Sequence, residues 1–516
     1  MAPSNVVSNG NSQSASRGMG AGRGLVFITA AKLWFMVAGY VVQFALPRAL
    51  GSPARYGIWV IVLSVLSPVN NVMVTATIQG VSKFTAEIEE RQGAVLRAAL
   101  KLQAFLGGGV ALAFFLIAPL IAWFEHDPTL TPFLRLATGV ALAYAFYAVF
   151  VGAANGRKEF HKQAGLDMTY STLRCIFVVG AAWATHSALA AVGGFVAAAA
   201  AVLVISVFVV GFGKPSTQPF DVKMLARFFS GVAFYLLIVN LLMFTDGLLL
   251  KRVVTEWAQA RGLADPAAYA NAQAGFYGAV QNVARIPYQL ILAVTLVIFP
   301  LISKSTFDND VEKTRGYIRN TMRYSLVVAA LFAAVLAARP DATMHLFYKP
   351  EYAVGARALS ALVLGYVAFS LFNIAGTIIN GSGRTLPTTI IGVVTLAATV
   401  AAEWIGIRVA LETGADPLFV AAVTTAATMT LGVLLSAGYL WRTFGAAPLP
   451  AATLVRVAAA YAAALGAGWA WTRAGILPGK VGTLVSCAAV GVVYLVVCVA
   501  TGELSPSELK RLRSKK

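Results

Sequence analysis

The stretch FYGAVQNVARIPYQLILAVTLVIFPLIS, residues 276–303, is long enough to cross a bilayer and carries a single charge, Arg285. An arginine near mid-bilayer costs roughly 3 kcal/mol against lipid, so it must face water or a partner inside a bundle. The segment is expected to be helical, because lipid leaves an open strand edge unsatisfied and barrel strands would show alternating segments of about ten residues. Pro287 follows two positions after Arg285 and removes a backbone donor, which marks a break or hinge beside the charge.

Comparable apolar runs lie near 25–47, 57–80, 98–123, 133–153, 165–185, 188–211 and 228–250 before it, and near 320–338, 357–380, 386–407, 417–441, 452–472 and 481–501 after it. At about 21 residues per crossing, 14 crossings use roughly 290 residues. That matches the apolar inventory of a 516-residue chain that is 59% apolar and 12% charged. The expected fold class is an all-α polytopic membrane protein with 14 transmembrane helices. Residues 1–24 read as a disordered cytoplasmic tail and 502–516 as a basic one. No short apolar stretch with an AxA-like cleavage site precedes the first span, so that span is expected to stay in the mature protein.

The net charge of +19 would suggest nucleic acid in a soluble protein, but here it follows the positive-inside rule, and no nucleic-acid partner is expected. Counted in alternate connections, 24 Lys and Arg fall on one side and 11 on the other. This places both termini in the cytoplasm of a bacterial inner membrane. Cys175, Cys487 and Cys498 lie in apolar runs and the four histidines are scattered. Neither a disulfide scaffold nor a metal site is expected.

An internal repeat organises the spans. Tyr56-Gly57 recurs as Tyr277-Gly278, Ser82-Lys83 as Ser303-Lys304 and Pro119 as Pro340, all at an offset of 221. Pro128 matches Pro350 and Arg135 matches Arg357 at 222, and Asn155-Gly156 matches Asn380-Gly381 at 225. The offset carries six spans onto six, so two lobes of equal orientation are expected, 25–212 and 228–441, joined by a linker at 213–227. The spans at 452–501 form an appendage. Two such lobes suit alternating access by rocking.

The stretches LPRALGSPARYGIWVIVLS (46–64), QGVSKFTAE (79–87), GAANGRKEF (152–160) and the opening segment resemble the polysaccharide-export branch of the MOP (multidrug/oligosaccharidyl-lipid/polysaccharide) exporter superfamily. The likeness is to Wzx-type flippases and covers roughly 25–440. It implies two MATE-like six-helix bundles plus two helices, and translocation of an undecaprenyl-pyrophosphate-linked sugar between leaflets. Other polysaccharide-assembly proteins are then expected as partners beside the lipid bilayer.

Five ionisable residues sit within the spans: Lys32, Arg174, Asp246, Arg285 and Glu403. Arg285, Arg174 and Lys32 are the expected substrate-binding cations of an inter-lobe cleft, since arginine matches phosphate oxygens with a planar, permanent charge and lysine adds a point charge. Each has a plainer reading: Arg285 paired with a carboxylate or a carbonyl near Pro287, Arg174 hydrogen-bonded within its lobe, Lys32 snorkelling. Gln281, Asn282, Asn70 and Asn71 are candidate sugar contacts, or interhelical polar glue. Asp246 and Glu403 are candidates for H+ or Na+ coupling, or form ion pairs with Lys251 and Arg408 respectively. Pro68 and Pro287 are expected to break spans 2 and 8 as hinges, or to leave static kinks.

Gly475, Gly479 and Lys480 echo a phosphate loop, but the spacing is short and Val481 replaces Ser/Thr, so no ATP site is expected. The longest connection, near 251–270, holds no acid/base set for a polymerase or transferase. The sequence therefore points to a non-enzymatic flippase without a cofactor. A cation antiporter of the same superfamily is the alternative, and a membrane-embedded polymerase or transferase comes third.

Overall fold

The computed structural model describes residues 10–213, 219–445 and 447–504. Its helices are α1 (Gly10–Leu50), α2 (Pro53–Glu87), α3 (Gln92–Phe124), α4 (Thr131–Gly156), α5 (Phe160–Thr185), α6 (Ala188–Val210), α7 (Val222–Ala260) and α8 (Pro266–Ala284). They continue as α9 (Ile286–Phe307), α10 (Val311–Ala337), α11 (Pro340–Phe347), α12 (Ala356–Gly381), α13 (Thr385–Thr413), α14 (Pro417–Phe444), α15 (Ala451–Ala474) and α16 (Gly479–Ala500). No β-strand occurs among the described residues.

Twelve of these helices are long and apolar enough to cross a membrane. The other two of the fourteen expected crossings are α5, diluted by Lys162, Asp167 and Arg174, and span 8, which is divided. Span 8 stops at Ala284 and restarts at Ile286, with Pro287 in the first turn of α9, where its missing N–H costs nothing. Pro68, expected to break span 2, sits inside a continuous α2. One lost hydrogen bond does not interrupt a long helix whose neighbours can satisfy the freed carbonyl.

Several boundaries differ from those read in the sequence. α1 begins at Gly10, so part of the expected disordered tail is helical, while residues 1–9 lie outside the described residues. Adding turns to an established helix costs far less than nucleating one. The basic tail beyond Leu504 and linker residues 214–218 also lie outside the described residues. α7 runs on to Ala260, which shrinks the expected twenty-residue connection to residues 261–265.

Contacts divide the chain into two compact units. Unit 1 comprises residues up to 50, 66–122 and 128–236; unit 2 comprises 51–65, 123–127 and everything from 237 onward. α2 and α7 thus pass from one unit to the other without a break, and the α3–α4 connection belongs to a different unit from most of the helices it joins. Within unit 1, α5 packs on α1 and α6, and α4 on α6. Met73, Ala76, Ala145 and Phe229 form an apolar core there.

Within unit 2, α12 is the central helix and packs on α8, α9, α10, α13 and α14. α15 and α16 lean on each other and on α10. Their ends are tied down by Glu503, which is fully buried: Arg323 reaches its carboxylate at 2.6 Å, Thr453 donates at 3.2 Å and Arg456 lies at 3.6 Å.

The repeat has a structural basis. Pro128 and Pro350 each open a short 3-10 turn, and Gly156 and Gly381 each end the helix that follows. A Cβ on Gly156 would meet the Ser82 carbonyl oxygen at 2.7 Å, and one on Gly381 the Phe299 carbonyl oxygen at 3.2 Å. Close helix approach therefore excludes a side chain at Gly156 and crowds one at Gly381. Gly57, matched to Gly278, allows a still tighter approach of α2 to α8, where a Cβ would lie 1.7 Å from the Asn271 carbonyl oxygen. That contact explains why the start of α2 belongs to unit 2. Pro119 and Pro340 differ in role, the first inside α3 and the second opening α11.

Candidate functional site

Unit 1 holds two of the expected cations on adjoining helices. Lys32 of α1 lies 3.4 Å from Asp167 of α5, with side chains 59% and 13% exposed, and its ammonium sits 5.9 Å from the centre of the Phe35 ring. Arg174 is two turns along α5 from Asp167, on the same helical face by the seven-residue spacing and about 10 Å farther along the axis. Its guanidinium stacks on Phe195 at 4.7 Å and bonds to Tyr170, while its Nε is buried with no hydrogen-bond partner among the described residues. Phe35, Ala38, Gly39, Tyr170, Ser171 and Arg174 line a small cavity.

Tyr170 is in turn held by Phe35 at 5.8 Å and Tyr144 at 5.1 Å, so the cavity has aromatic walls. Trp34 Nε1 donates to Thr172 Oγ1 at 3.0 Å and cross-links α1 to α5. The cavity thus holds one cation with an unspent donor, Arg174 Nε, between two aromatic rings, and Lys32 is not among its lining residues. Asn70 and Asn71, half-buried on the unit 1 part of α2, are not among the residues lining this cavity.

Arg285 occupies a different setting. It lies in unit 2 at the α8–α9 break, where Nε donates to the Tyr366 hydroxyl and Nη2 to the Met243 carbonyl, both at 2.6 Å. The rings of Phe244 and Tyr366 cover it at 4.9 and 5.5 Å, and Asp246 is a neighbouring charge. Asp246 is buried and accepts from Gly247 N at 3.0 Å and the Tyr277 hydroxyl at 3.2 Å. Glu403 is buried too; Thr425 Oγ1 donates to one of its oxygens at 2.8 Å, and the other has no partner among the described residues.

Gln281 and Asn282 are buried in the same region, and Asn282 Nδ2 donates to the hydroxyls of Tyr56 and Tyr348 at 2.8 and 3.3 Å. The unit 2 network therefore joins Arg285, Asp246, Glu403, Tyr277, Tyr366 and Thr425 across α7, α8, α12, α13 and α14. Asp246 is thus a buried carboxylate with Arg285 and Glu403 as charged neighbours, while Glu403 has Asp246 and Thr425 beside it.

Both carboxylates lack the ion pairs that the sequence offers. Lys251 bonds Asp127 at 2.7 Å with both side chains fully buried, and Arg408 bonds Glu256 at 2.7 Å. Asp246 to Lys251 and Glu403 to Arg408 are each five residues apart, about 140° around a helix, so the members of each pair face different neighbours. Sequence reasoning missed Asp127, Glu125 and Asp167. Asn271 also donates to Asp127 at 3.1 Å. Next to this pair, burial pushes the Glu125 carboxyl up to about 8, opposed by the charges of Lys251 and Arg252.

A family model described as polysaccharide biosynthesis protein matches residues 46–354. Comparison with the curated proteins returns no match. Among solved structures, the lipid II flippase MurJ in an inward closed conformation superposes with a TM-score of 0.71 at 13% identity, covering 92% of this chain and 98% of that one. An inward-facing multidrug resistance MATE family transporter of the MOP superfamily gives 0.55 at 13% identity, over 81% of this chain and 95% of its own. A MOP superfamily transporter from Pyrococcus furiosus, described as having a binding pocket of reverse polarity, gives 0.56 at 13% identity, over 81% and 95%. The chain shares the fold of MurJ and MATE transporters.

Proposed function

This chain belongs to the polysaccharide biosynthesis protein family, and from that premise we propose that it is a flippase for a polyprenyl-pyrophosphate-linked oligosaccharide. The cargo moves from the cytoplasmic to the periplasmic leaflet of a bacterial inner membrane by alternating access, with both termini cytoplasmic. The observation that carries this reading is the pair of cations in unit 1, Lys32 largely exposed and Arg174 with a buried, unspent donor. A pyrophosphate supplies the acceptor that Arg174 Nε lacks and can exchange with Asp167 at Lys32, and the aromatic walls offer faces on which sugar rings can lie. MurJ, which shares the fold, is named for flipping lipid II, itself a lipid cargo.

Drug export fits less well, because a positively charged cargo wants an acidic site and Lys32 and Arg174 repel it. Asp246 and Glu403 serve as the H+ or Na+ coupling carboxylates, with Arg285 positioning Asp246. Movement is accommodated at Pro68, beside which α2 passes between units, and at Pro287, where span 8 divides.

The test is reconstitution into proteoliposomes. Transfer of pyrophosphate-linked oligosaccharide between leaflets, with no efflux of lipophilic cations, is the expected result. Cation efflux without lipid transfer contradicts the reading.

A further inference from the structure

We propose that Tyr170 and Phe195 are positioning residues for Arg174, which fix its guanidinium before the cargo arrives. The proposal rests on the reading above, in which Arg174 meets the cargo, and adds residues that act through it.

A guanidinium is a flat group on a long, freely rotating stem, so a site that uses one must set both its plane and its rotation within that plane. Both are set within unit 1. Phe195 of α6 lies against the guanidinium at 4.7 Å from the ring centre, which fixes the plane. The Tyr170 hydroxyl bonds to it from one turn earlier on α5, where the four-residue spacing makes the two side chains neighbours, and this fixes the rotation. Nε is then left as a buried donor with no partner among the described residues. A guanidinium free to turn would bring its donors to nearby carbonyls, as that of Arg285 does at Met243.

The two holders are themselves held. Tyr144 of α4 packs edge-on against both, at 5.1 Å from the Tyr170 ring and 6.1 Å from that of Phe195. Tyr170 also rests on Phe35 of α1 at 5.8 Å, and the side chains of Tyr144, Tyr170 and Phe195 are buried. An arginine set in place this way loses little rotamer freedom on binding, so its holders raise cargo affinity through it.

Initial rates of pyrophosphate-linked oligosaccharide transfer in proteoliposomes, taken over a range of lipid mole fractions, test this. Tyr170→Phe keeps the ring and removes the hydroxyl; it should raise the half-saturating fraction about fivefold and leave the maximal rate within about twofold. In an Arg174→Gln background the same substitution should change half-saturation by less than about twofold, because the group it positions is gone. Tyr147→Phe removes from the same aromatic group a hydroxyl that has no partner among the described residues, and should leave half-saturation at the wild-type value. An unchanged half-saturation in folded Tyr170→Phe, a rise of the same size in the Arg174→Gln background, or an equal rise in Tyr147→Phe overturns the proposal. If Tyr170→Phe does not fold, Phe195→Leu decides, read alone and in the Arg174→Gln background with the same expected and contrary results. Arg174→Gln separates the two levels. If it transfers lipid like wild type, the cargo reading at Arg174 fails; a raised half-saturation in Arg174→Gln with none in Tyr170→Phe sinks this proposal alone.

Discussion

Unit 1 and unit 2 each contain a lysine–aspartate pair and a membrane-embedded arginine, and they use them in opposite ways. In unit 2, Lys251 and Asp127 are fully buried at 2.7 Å, and Arg285 gives its Nε and Nη2 to a tyrosine hydroxyl and a backbone carbonyl between two rings. In unit 1, Lys32 and Asp167 stand 3.4 Å apart with the lysine exposed, and Arg174 keeps a buried donor unspent. A charge whose hydrogen bonds are satisfied holds a fold together, whereas an unspent buried donor such as Arg174 Nε is open to a ligand under the proposed function. Residue type alone does not separate the two cases, because the same side chains appear in both.

That contrast is sharpened by stability measurements. Lys251→Met should have the largest effect, leaving Asp127 buried without its cation at a cost of about 3–5 kcal/mol. A lowered thermal midpoint checks this, and adding Asp127→Leu should recover most of the loss. Arg285→Ala should cost roughly 2–3 kcal/mol through its charged hydrogen bonds, read in the same melts. Glu125 adds a pH dependence. Its carboxyl titrates near 8 in the fold against 4.5 when unfolded, so the native state binds the extra proton between those values. Stability contributed by that proton is full below the unfolded value and is lost as pH rises through about 8. Wild type should therefore melt several degrees lower at pH 9 than at pH 6, and Glu125→Gln should flatten the difference. The smallest effect is expected for Lys32→Met, under about 1 kcal/mol, because its ammonium is largely exposed and the contact is long at 3.4 Å. A Lys32 loss as large as that of Lys251 would erase the contrast.

Much of the architecture is legible in the sequence. Span length and composition give the helices, and the Tyr-Gly and Asn-Gly repeats mark places where two helices must nearly touch. Arg285 and Pro287 announce the division of span 8. The distribution of charge partners is not legible, because it is set by tertiary contact. Asp246 and Glu403 each have a basic residue five positions on, yet those bases bond to Asp127 and Glu256 from other helices or loops. Asp167 could have been found from its seven-residue spacing to Arg174, which places both on one face. Asp127 and Glu125 sit in a short connection whose burial no local pattern reveals. Nor does Pro68 show from sequence that α2 would continue through it.

Lys32 and Arg174 are the proposed holders of the cargo phosphates. The most direct measurement is the initial rate of pyrophosphate-linked oligosaccharide transfer in proteoliposomes containing Lys32→Gln/Arg174→Gln protein, with its melting temperature taken alongside. The expected result is a rate at least about a hundredfold below wild type, equivalent to roughly 2.7 kcal/mol, with melting little changed. A wild-type rate in that doubly neutralised protein would contradict the assignment.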